Sequence, residues 1–191
     1  LEHRRQVDKV GGKIMVKFDY LFDYTPYFNG GANDHMSRIL LSFKRNHQSA
    51  FEFMRSVMVN FFDVSDFEKG NTVICAVPSH DGSLYHPVQR LCTHIAHECG
   101  FIDGAHLVRK MHPTASFCRT GERDPLALQA SIEIDGMIAG RHVILLDDIA
   151  TTGTSFAVVS RLLIKGGALS VRCVALGRTI RLKQQERGQY A

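Results

Sequence analysis

The sequence predicts an α/β protein with a parallel β-sheet that helices cover on both faces. Short apolar segments, such as residues 72–77 and 142–146, alternate along the chain with segments of helical periodicity. Strands that are apolar along their whole length are typical of a parallel sheet with two buried faces. A chain of 191 residues, 45% of them hydrophobic and 22% charged, is suited to one globular domain.

The individual elements follow from local signals. Apolar side chains repeat at helical spacing in two segments of the N-terminal third of the chain. Two later helices are predicted to end before Gly100 and Gly166, because glycine is common just past a helix C-terminus. The predicted helices are residues 33–44, 49–63, 88–99 and 155–165, and the predicted strands are residues 14–18, 72–77, 106–109, 142–146 and 170–176. Loops are predicted at residues 25–31 and at residues 118–129, the second of them mobile and leading into a segment at 126–133.

Composition limits the classes of partner. The 23 basic and 19 acidic residues give a net charge of +4, which is compatible with an anionic ligand but too small to indicate nucleic acid by itself. No apolar run approaches the ~18 residues that cross a bilayer, and the first ten residues are mostly polar, so neither a membrane partner nor a signal peptide is expected. The five cysteines are odd in number and lack paired spacing, which favours reduced thiols in a cytoplasmic protein.

Residues 143–155 combine a buried strand, two carboxylates and a hydroxyl-rich turn that opens a helix. The backbone N–H groups of such a turn and the positive end of the helix dipole form a site for a phosphate dianion, and Gly153 allows close approach. Asp147 and Asp148 would repel a phosphate that they faced, but they are suited to accept hydrogen bonds from sugar hydroxyls or to contact a metal. The phosphate-binding residues are predicted to be Ala150, Thr151, Thr152, Gly153, Thr154 and Ser155.

These features together describe a site for ribose 5-phosphate, with phosphate at one end and acceptors for a diol at the other. The alternative is that Asp147 and Asp148 merely end a core strand and that residues 151–155 are an ordinary helix cap. The order of strand, acidic pair, hydroxyl and glycine turn, and helix favours the ligand site, because a motif is informative in its structural context.

Residues 143–155 resemble, along their whole length, the phosphoribosyl-pyrophosphate (PRPP) signature of type I phosphoribosyltransferases. The resemblance implies a Rossmann-like parallel sheet flanked by helices, with a small N-terminal hood in residues 1–66 and the core in residues 67–191. It implies that Asp147 and Asp148 hold the ribose 2- and 3-hydroxyls and that the turn holds the 5-phosphate. It also implies Mg²⁺ between the pyrophosphate and the sugar hydroxyls, with Asp147 and Asp148 close to the metal.

Within that family the chain is similar to the ComF-like branch, which is associated with competence and DNA uptake. The likeness covers about residues 36–178 and includes the helix at 39–44 and the Val-Pro-x-His turn that ends at His80. Two departures stand out. The branch usually has an N-terminal zinc ribbon of paired cysteines, whereas the first cysteine here is Cys75, and its Arg-Gly-Phe-Asn-Gln run corresponds here to residues 83–87, which read Ser-Leu-Tyr-His-Pro.

Other residues are candidates by position. The family position of the turn after the strand at 72–77 makes it the pyrophosphate loop, with Ser79, His80, Asp81 and Gly82 as contacts; the alternative is an ordinary strand-to-helix loop. Arg109, followed by Lys110, ends a predicted strand and is a candidate catalytic cation for the leaving pyrophosphate, unless it is a solvated strand end. The predicted mobile loop contains Arg119 and Arg123, which either close over the sugar or remain solvated.

Residues 92–99 contain two cysteines and two histidines in a pattern that invites a zinc hypothesis. On a helix with ~3.6 residues per turn, Cys92 and Cys99 share one face, whereas His94 and His97 lie on nearly the opposite face. Side chains on opposite faces of one helix cannot meet around one ion, so the cysteines are predicted to be structural.

The predicted activity is transfer of a phosphoribosyl group from Mg²⁺-bound PRPP to an unidentified nitrogen acceptor, with release of pyrophosphate. The alternative is a non-catalytic module that senses PRPP or a nucleotide, or a DNA-processing accessory of the competence type. The expected partner is a small phosphoribosyl substrate, while the sequence leaves open a nucleic-acid partner and a homo-oligomer.

Overall fold

The computed structural model describes residues 4–6, 17–26, 34–79, 86–111 and 125–180. These residues form eight strands, β1 (Arg4–Gln6), β2 (Phe18–Tyr24), β3 (Thr72–Ala76), β4 (Ile102–Asp103), β5 (Val108–Lys110), β6 (Ile132–Ile134), β7 (His142–Ala150) and β8 (Ser170–Thr179). They also form five helices, α1 (His35–Lys44), α2 (Gln48–Asp63), α3 (Pro87–Cys99), α4 (Pro125–Ala130) and α5 (Thr154–Lys165).

The main sheet has the strand order β1-β2-β8-β7-β3-β4. Five of its strands run parallel, and only β1 is antiparallel to its neighbour, β2. The predicted Rossmann-like parallel sheet is therefore confirmed, with an antiparallel edge strand that was not predicted. Strands β5 and β6 form a separate antiparallel ribbon.

Each face of the sheet packs against helices, as expected for strands without a polar face. Side chains of β7 alternate between the faces, so that Ile144 and Leu146 enter a core with α1, α2 and α3, while Val143 and Leu145 enter a second core with α5. The central side chains Ile144, Leu145 and Leu146 are fully buried. Burying each such side chain contributes roughly 1.5–3 kcal/mol, so the hydrophobic effect holds the two helical layers on the sheet.

The N-terminal segment contributes to the same sheet and core. β2 lies between β1 and β8, later in the chain than the strand predicted at 14–18, whose first three residues lie outside the described part. Asp19 of β2 accepts a hydrogen bond from Arg172 Nε of β8 at 2.7 Å. Helices α1 and α2 pack against the core that also contains α3. The division into a hood at 1–66 and a core at 67–191 stays a prediction.

Several boundaries differ from those predicted. β7 and β8 continue to Ala150 and Thr179, because their backbone pairing extends past the point where the apolar run ends. α4 occupies part of the segment predicted as a loop, and the prediction of loop up to residue 129 is wrong there. Gly100 ends α3 in the left-handed conformation with a φ of 76°, which confirms the helix end predicted from glycine.

The four cysteines in the described residues are free thiols in the interior, at positions 75, 92, 99 and 173. Burial raises the pKa of Cys173 to about 12 and raises the pKa of Cys92 well above its usual range. Buried thiols with raised pKa values are poor nucleophiles, so these cysteines act as small apolar core residues. Within the described residues, helices with the length and apolar character to span a bilayer are lacking.

Gly104 offers a test of how closely this layer is packed. A Cβ atom on Gly104 would lie 2.9 Å from the backbone oxygen of Ile74 and would collide with the side chain of Val73. Gly104→Ala should therefore lower the free energy of unfolding by about 1–3 kcal/mol. Urea unfolding followed by circular dichroism measures this change.

Gly136→Ala is the matched control, because no atom lies within 4 Å of a Cβ at that position. This variant should stay within about 0.5 kcal/mol of wild type. Equal stability of the Gly104 and Gly136 variants would show that the layer around β3 tolerates a methyl group and is packed less tightly than described.

Candidate functional site

The candidate site lies where β7 ends and α5 begins. In parallel α/β sheets, ligands bind beyond the carboxyl ends of the strands. Asp147 and Asp148 lie within β7, near its carboxyl end, rather than beyond it as the predicted strand end implied. Asp147 is opposite Ala175 of β8, and the pairing continues to Ala150 opposite Arg178. Backbone hydrogen bonds with β8 therefore position the acidic pair.

The regular alternation of side chains breaks at the acidic pair. Leu146 and Ile149 both contact the core beneath α1, α2 and α3, whereas Leu145 and Ala150 belong to the core beneath α5. Strict alternation would have placed positions 146 and 149 on opposite faces. Side chains of β7 therefore stop alternating strictly between the two faces of the sheet at the positions predicted to contact the ligand.

The two aspartates have different environments. Asp147 is half-buried, and its Oδ1 accepts a hydrogen bond from the N–H of Asp148 at 2.8 Å. Asp148 is only 5% exposed, and its Oδ1 accepts a hydrogen bond from the N–H of Ile149 at 2.6 Å. The other oxygen, Asp148 Oδ2, is buried and accepts no hydrogen bond within the described part of the chain. Buried polar atoms are rarely left unsatisfied, so this oxygen is a candidate acceptor for a ligand.

Two donors flank Asp148 Oδ2 without hydrogen-bonding to it. Lys44 Nζ, at the end of α1, lies at 3.4 Å, and His86 Nε2 lies at 3.8 Å. His86 precedes α3, and its Nδ1 accepts the N–H of Val88 at 3.4 Å. Nδ1 therefore faces the backbone of α3, and Nε2 is the ring nitrogen directed at Asp148. The carboxylate therefore faces positive or hydrogen-bond-donating groups from two helices.

The turn between β7 and α5 has the conformation expected of a phosphate loop. Gly153 adopts a φ of 72° and a ψ of 8°, a left-handed conformation that is costly for other residues. α5 begins at the next residue, and the N–H of Ala157 closes its first turn on the Gly153 oxygen at 2.9 Å. Glycine has no side chain to cap the helix, so the positive end of α5 faces the turn without a protein carboxylate or hydroxyl from the cap position.

Hydroxyl groups surround this turn. The Oγ1 atoms of Thr152 and Thr154 lie 2.9 Å apart, and the Oγ1 atoms of Thr151 and Thr179 lie 3.0 Å apart. Thr151 and Thr152 are exposed, whereas Ser155 is buried and Ala150 is 4% exposed. The turn thus presents threonine hydroxyls to solvent at the helix N-terminus.

Aromatic packing beneath the turn sets its position. The ring of Phe18 in β2 lies 5.3 Å from the ring of Phe156 in α5, centroid to centroid. A Cβ on Gly153 would approach Phe18 Cε1 to 3.3 Å. The turn therefore rests on β2, and glycine is required there both for its conformation and for its close contact with that strand.

The structure describes only some of the remaining predicted site residues. Ser79 is buried and follows β3, the neighbour of β7, whereas His80, Asp81 and Gly82 lie outside the described residues. Arg119 and Arg123 also lie outside the described residues.

Arg109 needs a correction in its placement. It lies in β5, which belongs to the separate ribbon and not to the main sheet, so its expected position at a strand end of that sheet is wrong. Arg109 is exposed, and its Nε donates to the backbone oxygen of His106 at 3.0 Å. Its role towards pyrophosphate stays a prediction.

The structure brings Lys44, His86 and Thr179 to the predicted site, and the analysis of sequence patterns assigned none of them a role there. Lys44 is the last residue of a predicted helix, and Thr179 lies three residues beyond a predicted strand. His86 precedes a proline at a helix start, which is a recognisable capping signal. Lys44 and Thr179 had no local signal that could identify them.

The geometry of α3 agrees with the rejection of the zinc hypothesis. Cys92 and Cys99 are buried in the core, whereas His97 is exposed. The described residues contain no group of three or more histidine, cysteine or acidic side chains arranged to hold a metal.

Comparison with known proteins gives a family and several relatives. A model of the phosphoribosyl transferase domain matches residues 107–188. The DNA utilization protein YhgH of Salmonella typhi is 28% identical over 94 residues, which cover 47% of this chain and 40% of that protein. The protein of the same name from Escherichia coli (strain K12) is 34% identical over 53 residues, or 28% of this chain and 23% of that protein. The matched segments span less than half the length of these relatives.

Solved structures of similar fold include an adenine phosphoribosyltransferase from Leishmania tarentolae, at 16% identity and a TM-score of 0.43, covering 71% of this chain and 73% of that one. A hypoxanthine phosphoribosyltransferase from Trypanosoma cruzi has 12% identity and a TM-score of 0.40, covering 80% of this chain and 72% of that one. The sequence matches agree with the resemblance seen in residues 143–155. By these matches, residues 107–188 of the chain are similar to the phosphoribosyl transferase domain, and the chain resembles type I phosphoribosyltransferases.

Proposed function

We propose that the protein binds Mg²⁺–PRPP at the junction of β7 and α5 and transfers its phosphoribosyl group to a nitrogen acceptor. The observation that carries the proposal is the glycine turn at the uncapped start of α5, which directly follows the strand that holds two aspartates. This arrangement combines a phosphate site with acceptors for sugar hydroxyls. The domain match over residues 107–188 includes both parts.

The 5-phosphate would bind at the turn of residues 151–155. A helix N-terminus attracts an anion through its unbonded N–H groups and the helix dipole. The hydroxyls of Thr152 and Thr154, 2.9 Å apart, would add donors from one side of the turn. Gly153 allows the turn to adopt its left-handed conformation and to lie against Phe18 without a side chain in between.

The ribose hydroxyls would bind towards β7. Asp147 is half-buried and close to the turn in sequence, so its carboxylate is suited to accept a sugar hydroxyl. Asp148 has one oxygen that lacks a hydrogen bond in the described structure, and a hydroxyl donor from the ligand would satisfy it. Lys44 Nζ and His86 Nε2 lie within 3.8 Å of this oxygen, so a ligand hydroxyl bound to it would lie beside them.

The residues would act mainly by positioning and by electrostatics. In the transfer, the bond from the anomeric carbon to pyrophosphate breaks, a bond to nitrogen forms, and positive charge develops on the sugar ring. Carboxylates fixed beside the ribose would stabilise that charge, and the phosphate turn would hold the sugar in line with its acceptor. Mg²⁺ is suited to this site, since it commonly binds one or two carboxylates together with ligand phosphates, and it would neutralise the leaving pyrophosphate.

The acceptor is proposed to bind beneath the N-terminal segment, residues 1–66, which would act as the hood. The contact of Lys44 in α1 with Asp148 in β7 supports this, because it brings that segment against the acidic pair. The reduced, buried cysteines are compatible with the proposed cytoplasmic location.

Removing one carboxylate tests the substrate. Asp147→Asn should weaken PRPP binding in the presence of Mg²⁺ by about tenfold or more, because hydrogen bonds to charged groups are worth about 1.5–3 kcal/mol. Isothermal titration calorimetry with PRPP measures the affinity, and a pyrophosphate-release assay with purine, pyrimidine and amine acceptors measures turnover. Equal PRPP affinity of wild type and Asp147→Asn would contradict the assignment of Asp147.

Asp66→Asn is the matched control for that experiment. Asp66 is exposed and lies in the connection between α2 and β3, at the edge of the sheet where the parallel strands begin. The Asp66→Asn substitution removes one negative charge far from the carboxyl ends of the strands. The control should bind PRPP as wild type does, which separates a local effect from a change in net charge.

The glycine turn is tested with two glycines of equal backbone conformation. Gly153 has a φ of 72° and Gly140 a φ of 71°, so alanine at either position should cost about 1–2 kcal/mol of stability. Only Gly153→Ala should also weaken binding of ribose 5-phosphate, because its methyl group would press on Phe18 and displace the turn that forms the proposed phosphate site. Calorimetry with ribose 5-phosphate measures the ligand affinity, and urea unfolding measures the stability. Similar ligand affinity in both variants would contradict the assignment of the 5-phosphate to this turn.

A second candidate is a module that binds PRPP or a nucleotide without turnover and acts on DNA. Two observations favour it: the curated relatives are named DNA utilization proteins, and residues 83–87 depart from the run usual in the ComF-like branch. The net charge of +4 is compatible with a polyanion.

The second candidate predicts PRPP binding without pyrophosphate release from any acceptor, together with DNA affinity that falls steeply with salt. Fluorescence anisotropy with labelled single- and double-stranded DNA between 50 and 200 mM salt measures the dependence, which should reach about 10³-fold if six or more phosphates are contacted. Pyrophosphate release with one acceptor, and no DNA binding at 50 mM salt, would exclude it.

A further inference from the structure

A carboxylate oxygen of β7 is enclosed by side chains from two helices that are distant in the sequence. Asp148 Oδ2 has no hydrogen-bond donor among the described residues, yet Lys44 Nζ is 3.4 Å away and His86 Nε2 is 3.8 Å away. Both donors lie just beyond good hydrogen-bond distance, so each attracts the oxygen electrostatically without occupying its lone pairs.

The packing of α1 places Lys44 there. Its neighbour Phe43 and the preceding Leu40 are fully buried, so the end of α1 has little freedom to move. Leu40 lies against Gly177 of β8, where a Cβ would approach Leu40 Cδ1 to 2.7 Å. Gly177 pairs with Ile149, the residue after Asp148. α1 therefore approaches the sheet closely at a point beside the acidic pair, Asp147 and Asp148.

The exposures of the two partners differ strongly. The side chain of Lys44 is 49% exposed, whereas that of Asp148 is 8% exposed. A fully exposed pair of this kind would contribute little, but an adjacent positive charge attracts a nearly buried carboxylate more strongly. The Asp148 oxygen that lacks a hydrogen bond can accept one from a hydroxyl.

We propose that Lys44, with His86 beside it, is a positioning residue that holds the Asp148 carboxylate directed at a ribose hydroxyl of the ligand. This inference deepens the proposed function and rests on it. Lys44 would act through Asp148 and not by contact with the ligand, so its effect should vanish when Asp148 is neutral. The N-terminal segment would thus supply part of the sugar site.

A double-mutant cycle on ribose 5-phosphate binding tests this directly. Lys44→Met should weaken binding about tenfold, a typical loss for one charged interaction, and Lys44→Arg should restore most of the affinity. In the Asp148→Asn background, Lys44→Met should cause no further loss, since partners that act as a unit are non-additive. Wild-type affinity of Lys44→Met, or a loss that adds in full to that of Asp148→Asn, would overturn the proposal.

Lys69→Met is the matched control. The Lys69 side chain is 48% exposed, as that of Lys44 nearly is, but it pairs with the exposed Asp63 at 3.2 Å and lies in the connection between α2 and β3. This variant should bind ribose 5-phosphate as wild type does. A loss equal to that of Lys44→Met would assign the effect to net charge and overturn the proposal.

The proposal and the proposed function can fail separately. If the wild type binds neither ribose 5-phosphate nor PRPP, the proposed function is contradicted. A second double-mutant cycle, measured by urea unfolding with the same Lys44 and Asp148 variants, then tests the interaction of the two side chains without a ligand. Additive effects on unfolding would show that the two side chains do not interact and would overturn the positioning role, whereas non-additive effects would support it.

Discussion

The parallel pairing of β7 with β8 beyond the end of the apolar run is the constraint on which the site depends. Four apolar residues bury the strand, and the backbone ladder then continues through Asp147 and Asp148 to Ala150. Because both carboxylates belong to a hydrogen-bonded strand, their positions are set by the sheet and not by a loop. The phosphate turn begins where this pairing ends, so the distance between the turn and the carboxylates is equally restricted.

Two opposing demands meet at this edge. A carboxylate such as Asp148, 5% exposed, is costly to bury unless it is paired or hydrogen-bonded. A site for sugar hydroxyls requires the same carboxylate to keep an unoccupied oxygen. The arrangement reconciles the two: Oδ1 accepts a backbone N–H, while Oδ2 is surrounded by Lys44 and His86 at distances that attract without saturating it. The charge is balanced and one acceptor stays vacant.

The described part of the N-terminal segment contacts the candidate site and also packs into the core. β2 lies against β8 and supports the phosphate turn through Phe18, while α1 delivers Lys44 to Asp148. The described part of this segment therefore lies against both the glycine turn and the acidic pair. The antiparallel β1 and the ribbon of β5 and β6 lie outside this central arrangement.

The sequence alone determined the parallel sheet, most of the helices and the glycine turn before α5, because these depend on contiguous signals: apolar strands, helical spacing, and a glycine between hydroxyl residues before a helix. It did not locate the end of β7, since a charged residue ends an apolar run but not a hydrogen-bonded ladder. Only the tertiary structure decided that Arg109 lies on a separate ribbon and that Lys44 and His86 flank Asp148. Those contacts join residues far apart in the chain, and they arise from helix packing on the sheet, which no local pattern specifies.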